Sequence, residues 1–100
     1  MSFGSHEMIV RVAFRGAFDP DILHIWITDQ ADRIGVNGWS KEWQQLGFVE
    51  ALFAGSASNV MEIIRIVSEG RQAQGIGDLS ERPVSGDEPV WLGFHHLPPV

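Results

Sequence analysis

The chain has 100 residues, of which 44% are hydrophobic and 20% charged, as is typical of a single globular domain. Its formal net charge is −6, and its seven Lys and Arg residues form no stripe along the sequence, so a nucleic-acid or anionic-membrane partner is disfavoured. The absence of cysteine excludes disulfides, thiolate zinc sites and a cysteine nucleophile.

No signal-peptide pattern is visible, and no segment approaches the ~20 apolar residues that a membrane helix needs. We therefore expect a cytoplasmic monomer that binds neither membranes nor nucleic acid. Residues 1–100 are expected to form one domain, with flexible tails at residues 1–6 and 97–100.

The first part of the chain predicts a strand followed by a helix. Apolar residues alternate in "MIVRVAF" (residues 8–14), as in a half-buried strand, and recur at helical spacing in residues 20–34. Asp19 suits the helix N-cap, Pro20 the first helical position, and Gly35 the left-handed position after the last turn. We therefore place a helix from Pro20 to residue 34.

The rest of the chain predicts a hairpin, a second helix and two further strands. Short strands in "VNGWSK" (residues 36–41) and "FVEALFA" (residues 48–54) are close enough to form the hairpin. An apolar stripe marks a helix within residues 56–70. A weakly marked strand follows at residues 76–84, and "VWLGFHH" (residues 90–96) is the last strand.

The order of elements is strand, helix, strand, strand, helix, strand, with one short extra strand at the C-terminal end. Two right-handed crossovers around a central hairpin give an antiparallel sheet with both helices on one face. This is the α+β class, as a ferredoxin-like sandwich. The fold hosts many unrelated functions, so the functional prediction depends on individual residues.

Three stretches carry a resemblance to a known family. "ADRIGVNGWSKE" (residues 31–42) matches the pattern "A…LGL.GWV.N", and "GFVEALFAGSASNVMEIIRIVSEG" (residues 47–70) matches "G.VE….G…..V…….G". The first strand ends at Gly16, like the "V.G" that opens a phosphate loop. With these motifs the chain resembles, from about residue 8 to residue 94, the acylphosphatases, small α+β enzymes that hydrolyse carboxyl-phosphate bonds.

The resemblance implies an active site made of two short motifs. In acylphosphatases the loop "G.VQGV.FR" surrounds the phosphate with backbone N–H groups, and its arginine binds the phosphoryl oxygens. The asparagine of "GWV.N" orients the attacking water. The implied catalytic positions are His24, in place of the arginine, and Glu42, in place of the asparagine. The other implied phosphate-loop positions are Gly16, Ala17, Phe18, Asp19, Pro20, Asp21, Ile22 and Leu23.

These substitutions weaken the expected hold on a phosphate. Arginine offers a permanent charge and a rigid fork of donors, whereas a histidine is largely neutral at pH 7. Pro20 has no N–H to donate, and Asp19 and Asp21 add negative charge. If the arginine and the asparagine each supply roughly 3 kcal/mol in the transition state, losing both lowers the rate on the order of 10⁴-fold.

The substituted positions also have other interpretations. "FDPDIL" is a well-capped helix start, in which acidic residues favour the helix dipole. His24 can be an ordinary surface histidine of the first helical turn, and Glu42 a solvated turn residue. A further hypothesis is that Asp19, Asp21, His24 and Glu42 turn the former anion pocket into a cation pocket for Mg²⁺, Mn²⁺ or Zn²⁺.

We therefore expect an acylphosphatase-like domain with lost or strongly reduced hydrolase activity that acts as a binding or interaction module. Its expected partner is a small anion or another small ligand at the former active site, and no cofactor or resident metal is expected. The alternative is a divergent but active acylphosphatase, in which protonated His24 replaces the arginine and Glu42 positions the water.

Overall fold

The computed structural model describes residues 7–84 and 90–100, and within them it contains two helices and five strands in the predicted order. The ferredoxin-like sandwich is thereby confirmed. The tail predicted at residues 1–6 lies outside the described residues. The bounds are β1 Met8–Gly16, α1 Pro20–Ile34, β2 Asn37–Trp43, β3 Phe48–Gly55, α2 Ala57–Glu69, β4 Ile76–Pro83 and β5 Phe94–His96.

Helix α1 begins and ends where its sequence predicts. The Asp19 side chain accepts hydrogen bonds from the N–H groups of Asp21 and Ile22. Pro20 occupies the first turn, where its missing N–H leaves no helical hydrogen bond unmade. Gly35 ends the helix in the left-handed conformation, at a φ of 89°. Neither helix within residues 7–84 and 90–100 is long and apolar enough to span a membrane.

The strands form a mixed sheet in the order β4-β1-β3-β2-β5. Strands β1 to β4 pair antiparallel, as predicted. Strand β5 pairs with β2 in parallel, with Ser40 opposite His96, so the sheet is not wholly antiparallel. β5 is also shorter than the predicted strand at residues 90–96, because the chain turns at Gly93, at a φ of 86°, before it reaches β2.

Residues 97–100 continue this contact with the edge of β2. The N–H of Leu97 donates to the Ser40 carbonyl at 2.8 Å, and the N–H of Val100 donates to the Glu42 carbonyl at 2.9 Å. The N–H of Gln44 in turn donates to the Val100 carbonyl at 2.8 Å. This corrects the prediction of a flexible tail at residues 97–100: the edge of β2 offers backbone groups that this segment pairs with.

The helices cover one face of the sheet, and the side opposite them is called the open face below. The main core lies between the helices and the covered face, where Val12 and Phe14 of β1 are fully buried. Because side chains alternate along a strand, Arg11, Ala13 and Arg15 of β1 point to the open face. A smaller apolar cluster lies at one end of that face and contains Ile9, Leu52, Ala54 and Val90.

Two glycines allow close backbone approaches in this sheet. A Cβ at Gly38 would clash with the Leu52 carbonyl oxygen on β3, and a Cβ at Gly16 would clash with the Gly75 carbonyl oxygen before β4. Backbone atoms cannot swing aside as a flexible side chain can, so a larger residue would force the strands apart. The beginning of β4 therefore packs tightly against the end of β1, where the loop to α1 starts.

Candidate functional site

The first turn of α1 has few backbone donors left for a ligand. Asp21 and Ile22 donate their N–H groups to Asp19 Oδ1, at N···O distances of 2.9 and 3.4 Å. The N–H of Leu23 donates to the Asp19 carbonyl at 3.0 Å, and Pro20 has no N–H. At residues 20–23, which the resemblance assigns to the phosphate loop, each N–H is therefore absent or engaged within the protein.

The Asp19 carboxylate lies where a helix start attracts an anion. The positive end of the helix dipole and the free N–H groups of a first turn stabilise a negative group there. Here the chain supplies that group itself, and Asp21 adds a second carboxylate in the same turn. The geometry is that of a capped helix start, and the charge of the two carboxylates opposes a second anion.

His24 is buried, with 1% of its surface exposed, so its interpretation as an ordinary surface histidine is wrong. Its Nδ1 lies 2.5 Å from Ser40 Oγ on β2, and its ring stacks on His96 of β5 with the centroids 3.7 Å apart. The cause is helical spacing: His24, Ile27 and Ala31 are three and four residues apart and share the buried stripe of α1.

Burial, together with the neighbouring His96, lowers the pKa of His24 to about 4, although Asp21 acts in the opposite direction. At pH 7 only about one imidazole in 10³ is therefore protonated. A neutral ring has one donor and one acceptor, and Nε2 has no hydrogen-bond partner among the described residues. A buried polar atom left in this state costs about 1–3 kcal/mol.

Ser40 and His96, which contact this imidazole, were not predicted as site residues from the sequence. Ser40 is fully buried on β2, and His96 is its partner in the parallel register of β5. A polar residue at an inward position of a strand is a signal that could have indicated Ser40. No local pattern indicates His96, because its place depends on the pairing of two distant segments.

Glu42 follows Ser40 by two residues, so strand alternation directs its side chain to the same covered face. It lies within β2 and is half-buried, which corrects its interpretation as a solvated turn residue. Its carbonyl accepts the hydrogen bond from Val100. Its carboxylate has no ion pair with a cation among residues 7–84 and 90–100.

The structure does not bring the four proposed cation ligands together as a set. The Asp19 carboxylate accepts N–H groups of its own helix, and the His24 imidazole turns inward to Ser40. Asp21 is exposed in the first turn, and Glu42 lies on β2. Within the part of the chain that the structure describes, no three His, Asp or Glu side chains are grouped to hold a metal ion, which corrects the cation-pocket hypothesis.

A groove bordered by α1 and β5 adjoins the buried imidazole. It has a volume of about 380 Å³ and is lined by His24, Ile25, Thr28, Asp29, Asp32 and His96. Two carboxylates on its border favour a neutral or cationic group over an anion. The imidazole that borders the groove is neutral at pH 7, with Nδ1 engaged by Ser40 and Nε2 closed to solvent, so the groove does not offer the positive charge that a phosphate needs.

Known proteins with similar sequences and structures share this architecture. The chain is 34% identical over 82 residues to the acylphosphatase of Nitrobacter winogradskyi, covering 82% of each protein. It is 38% identical over 80 residues to that of Rubrobacter xylanophilus, covering 77% of this chain and 71% of the relative. The crystal structure of acylphosphatase from Bacillus subtilis gives a TM-score of 0.77 at 20% identity, covering 90% of this chain and 98% of that one. No protein-family model matches the chain.

Proposed function

The chain belongs to the acylphosphatase family, and from this premise we propose that its hydrolysis of acyl phosphates is lost or strongly reduced and that it acts as a binding module. The observation that carries the proposal is the burial of His24, which the resemblance aligns with the phosphate-binding arginine. Its side chain contacts Ser40 and His96 and is uncharged at neutral pH.

An arginine would supply a permanent positive charge and paired donors to a phosphoryl group in the transition state. The neutral imidazole of His24 supplies no charge, and its Nδ1 is already engaged by Ser40. Charge-assisted hydrogen bonds contribute about 1.5–3 kcal/mol each, so losing a bidentate pair lowers the rate by roughly 10²-fold or more. The substitution at Glu42 adds to this loss, because a carboxylate has no amide N–H to donate.

The start of α1 supports the same proposal. To use the backbone donors of the first turn, a phosphate would have to displace the Asp19 cap, which contributes about 1 kcal/mol to stability. It would then lie beside the carboxylates of Asp19 and Asp21. Pro20 removes one donor that no rearrangement can restore.

The proposed binding role rests on the groove beside His24, whose Nε2 has no hydrogen-bond partner among the described residues. This atom is closed to solvent, so a ligand reaches it only where a neighbouring side chain moves aside. A ligand that hydrogen-bonds to this atom removes the cost of leaving it unsatisfied. The groove of about 380 Å³ beside it has room for a small molecule. Asp29 and Asp32 favour a neutral or cationic ligand, so the small anion expected from the sequence is the less suitable occupant.

The loss of activity is tested with benzoyl phosphate between pH 4 and pH 8. We expect no turnover above the uncatalysed rate at pH 7, because the imidazole is neutral there. The binding role is tested separately with a set of small neutral and cationic fragments, read by the imidazole ¹⁵N resonances of His24. If no fragment shifts these resonances at millimolar concentration, the groove is not a binding site.

A second candidate is a divergent but active acylphosphatase, which the names of the relatives favour. In this candidate protonated His24 takes the role of the arginine, and Glu42 positions the water. Because the pKa of His24 is about 4, activity would rise as the pH falls from 6 towards 4 and would be weakest above pH 7.

His24→Ala distinguishes the two candidates. Robust wild-type turnover that collapses in this variant would refute the binding-module proposal. His95→Ala is the matched control, because His95 is exposed on the same strand as His96 and its Nε2 contacts the Leu92 carbonyl at 2.9 Å. Circular dichroism of each variant establishes that a lost rate is not a lost fold.

A further inference from the structure

A hollow of about 410 Å³ lies on the open face of the sheet, opposite the face against which His24 packs. Ala13 of β1 and Ser80 of β4 are directly paired at its centre, and their small side chains leave space above the sheet. Arg11, Arg15 and Arg82 also line the hollow. Because Glu50 and Glu81 are the only carboxylates among its lining residues, the hollow has a net positive lining in a chain whose formal net charge is −6.

Two of these arginines are paired across neighbouring strands, an arrangement that destabilises a sheet. Arg11 and Arg82 are direct partners in the register of β1 and β4, so their side chains leave the sheet side by side. Like charges directly opposite each other destabilise a strand pair. Arg15 lies on the same face of β1, which brings a third guanidinium to the hollow.

The described residues neutralise only part of this charge. Glu50 lies 3.4 Å from Arg11 and also accepts a hydrogen bond from the indole of Trp43. Among residues 7–84 and 90–100, no carboxylate lies within 4.0 Å of Arg15 or Arg82, although Asp78 is the register partner of Arg15 on β4. Both side chains are exposed, so an anion can reach them from solvent.

Arg15 is held by an aromatic surface beside the hollow. Its Cζ lies 4.6 Å from the centroid of the Phe48 ring, and that ring stacks against Trp43 with the centroids 6.3 Å apart. An arginine that lies over an aromatic ring keeps its N–H groups available for hydrogen bonds. A side chain oriented in advance loses less conformational entropy when it binds a ligand.

We propose that this hollow binds the dianionic phosphate group of a small phosphate monoester. Arg15 and Arg82 have no carboxylate within 4.0 Å among residues 7–84 and 90–100, and with Arg11 they outnumber the two carboxylates in the lining, Glu50 and Glu81, so the lining has a net positive charge that attracts the dianion of a monoester at pH 7. Each guanidinium can bind two phosphoryl oxygens, and the Ser80 hydroxyl adds a donor. A volume of about 410 Å³ suits a small molecule.

The test is a titration with phenyl phosphate at pH 7.5, followed by the backbone amide resonances of the ¹⁵N-labelled protein. We expect saturable shifts at Ala13, Arg15, Ser80 and Arg82, with amides 20–23 unmoved. Arg15→Gln and Arg82→Gln should each weaken binding about tenfold or more, because each removes charge-assisted hydrogen bonds. Arg71→Gln removes the same charge from an exposed position outside the hollow and should leave the affinity unchanged.

Two further measurements keep the proposal open to refutation. Phenyl sulfate has the same ring but one charge, so it should bind more weakly; equal affinity would overturn the match to a dianion. Glu81→Gln removes a carboxylate that lines the hollow and should tighten binding. Shifts confined to amides 20–23, no saturation, or an equal loss in Arg71→Gln would each overturn the site. None of these outcomes depends on acyl phosphate hydrolysis, so the proposed function and this site can fail separately.

Discussion

The start of α1 and the open face of the sheet differ in how they treat an anion. At the helix start the backbone favours one, through the dipole and the first-turn N–H groups, but the Asp19 side chain occupies that position. On the open face a sheet contributes only a small dipole, yet Arg15 and Arg82 extend into a hollow without carboxylate partners among the described residues.

The comparison shows that a backbone suited to an anion is not enough to make an anion site. The loop after β1 keeps the strand, turn and helix that the family resemblance implies, and in the proposed function Asp19, Pro20 and His24 change what it can bind. On the open face the backbone contributes register, which sets two arginines side by side. In both regions the side chains determine whether a negatively charged partner is favoured.

Restoring family residues at the helix start and on the neighbouring strand β2 should produce the largest effect and would remove the difference between the two regions. We expect Asp19→Gln, Pro20→Gly, His24→Arg, Ser40→Val and Glu42→Asn together to raise benzoyl phosphate hydrolysis at pH 7 on the order of 10⁴-fold. The valine belongs to the family pattern, and it removes the hydroxyl that lies 2.5 Å from Nδ1 of His24.

The partial variant is the control for the loop. His24→Arg with Glu42→Asn alone should recover a minor part of the activity, because Asp19 still accepts the first-turn N–H groups and Pro20 still lacks one. Full activity from this pair would show that the loop substitutions do not matter.

Acid should destabilise the protein through His24. The folded-state pKa of about 4 lies below the ordinary histidine value of 6.5, so the unfolded chain takes up the proton first as the pH falls. This contribution is fully present above pH 6.5 and is lost as the pH falls towards 4, by up to about 3 kcal/mol. Urea unfolding at pH 7 and pH 4.5 measures it.

The matched variants for this effect are His24→Asn and His95→Asn. Asparagine does not titrate, so His24→Asn should lose less stability between the two pH values than the wild type. His95 is exposed, and its replacement should leave the wild-type acid loss in place. The same acid loss in both variants would mean that the buried imidazole does not set the pH dependence.

Ser40→Ala should have a smaller but clear effect on stability. It removes the partner of His24 Nδ1 and leaves both ring nitrogens of a buried imidazole without one, at a cost of about 2 kcal/mol. The measurement is the free energy of unfolding in urea. Ser80→Ala on the open face is the matched control and should stay within about 0.5 kcal/mol of the wild type. Equal costs would show that the hydrogen bond to His24 contributes nothing.

Asp19→Ala is expected to have the smallest effect on stability, and it tests directly whether the Asp19 carboxylate keeps an anion from the start of α1. Loss of the cap should cost about 1 kcal/mol in the free energy of unfolding. It also releases the N–H groups of Asp21 and Ile22, so a titration with inorganic phosphate should move these two amides more than in the wild type. Unchanged amides would mean that the carboxylate is not what keeps an anion away.

The sequence predicted α1 well because the signals at its ends are local. Asp19, Pro20 and Gly35 act on neighbouring backbone groups, so their roles do not depend on the rest of the fold. The resemblance likewise aligned His24 and Glu42 with the family's catalytic positions. The burial of His24 was not predicted, because it depends on how α1 packs against two strands.

The distribution of charge on the surface is a second property that the order of residues in the sequence did not predict. The seven Lys and Arg residues are dispersed along the chain and predict no cationic surface. In the fold, Arg11 and Arg82 are direct neighbours although they are 71 positions apart in the sequence. Lys41 also lies on the open face, with its Nζ 4.7 Å from the centroid of the Trp43 ring. Alternation assigns a residue to a face, but only strand order and register determine its neighbours.

By itself, the sequence determined the order of strands and helices and the capped start of α1, because these follow from local periodicity and from residues that act on neighbouring backbone groups. Only the tertiary structure decided that His24 meets Ser40 and His96 and that Arg15 and Arg82 share a hollow. Those contacts join segments far apart in the chain, and the pairing of strands brings them together.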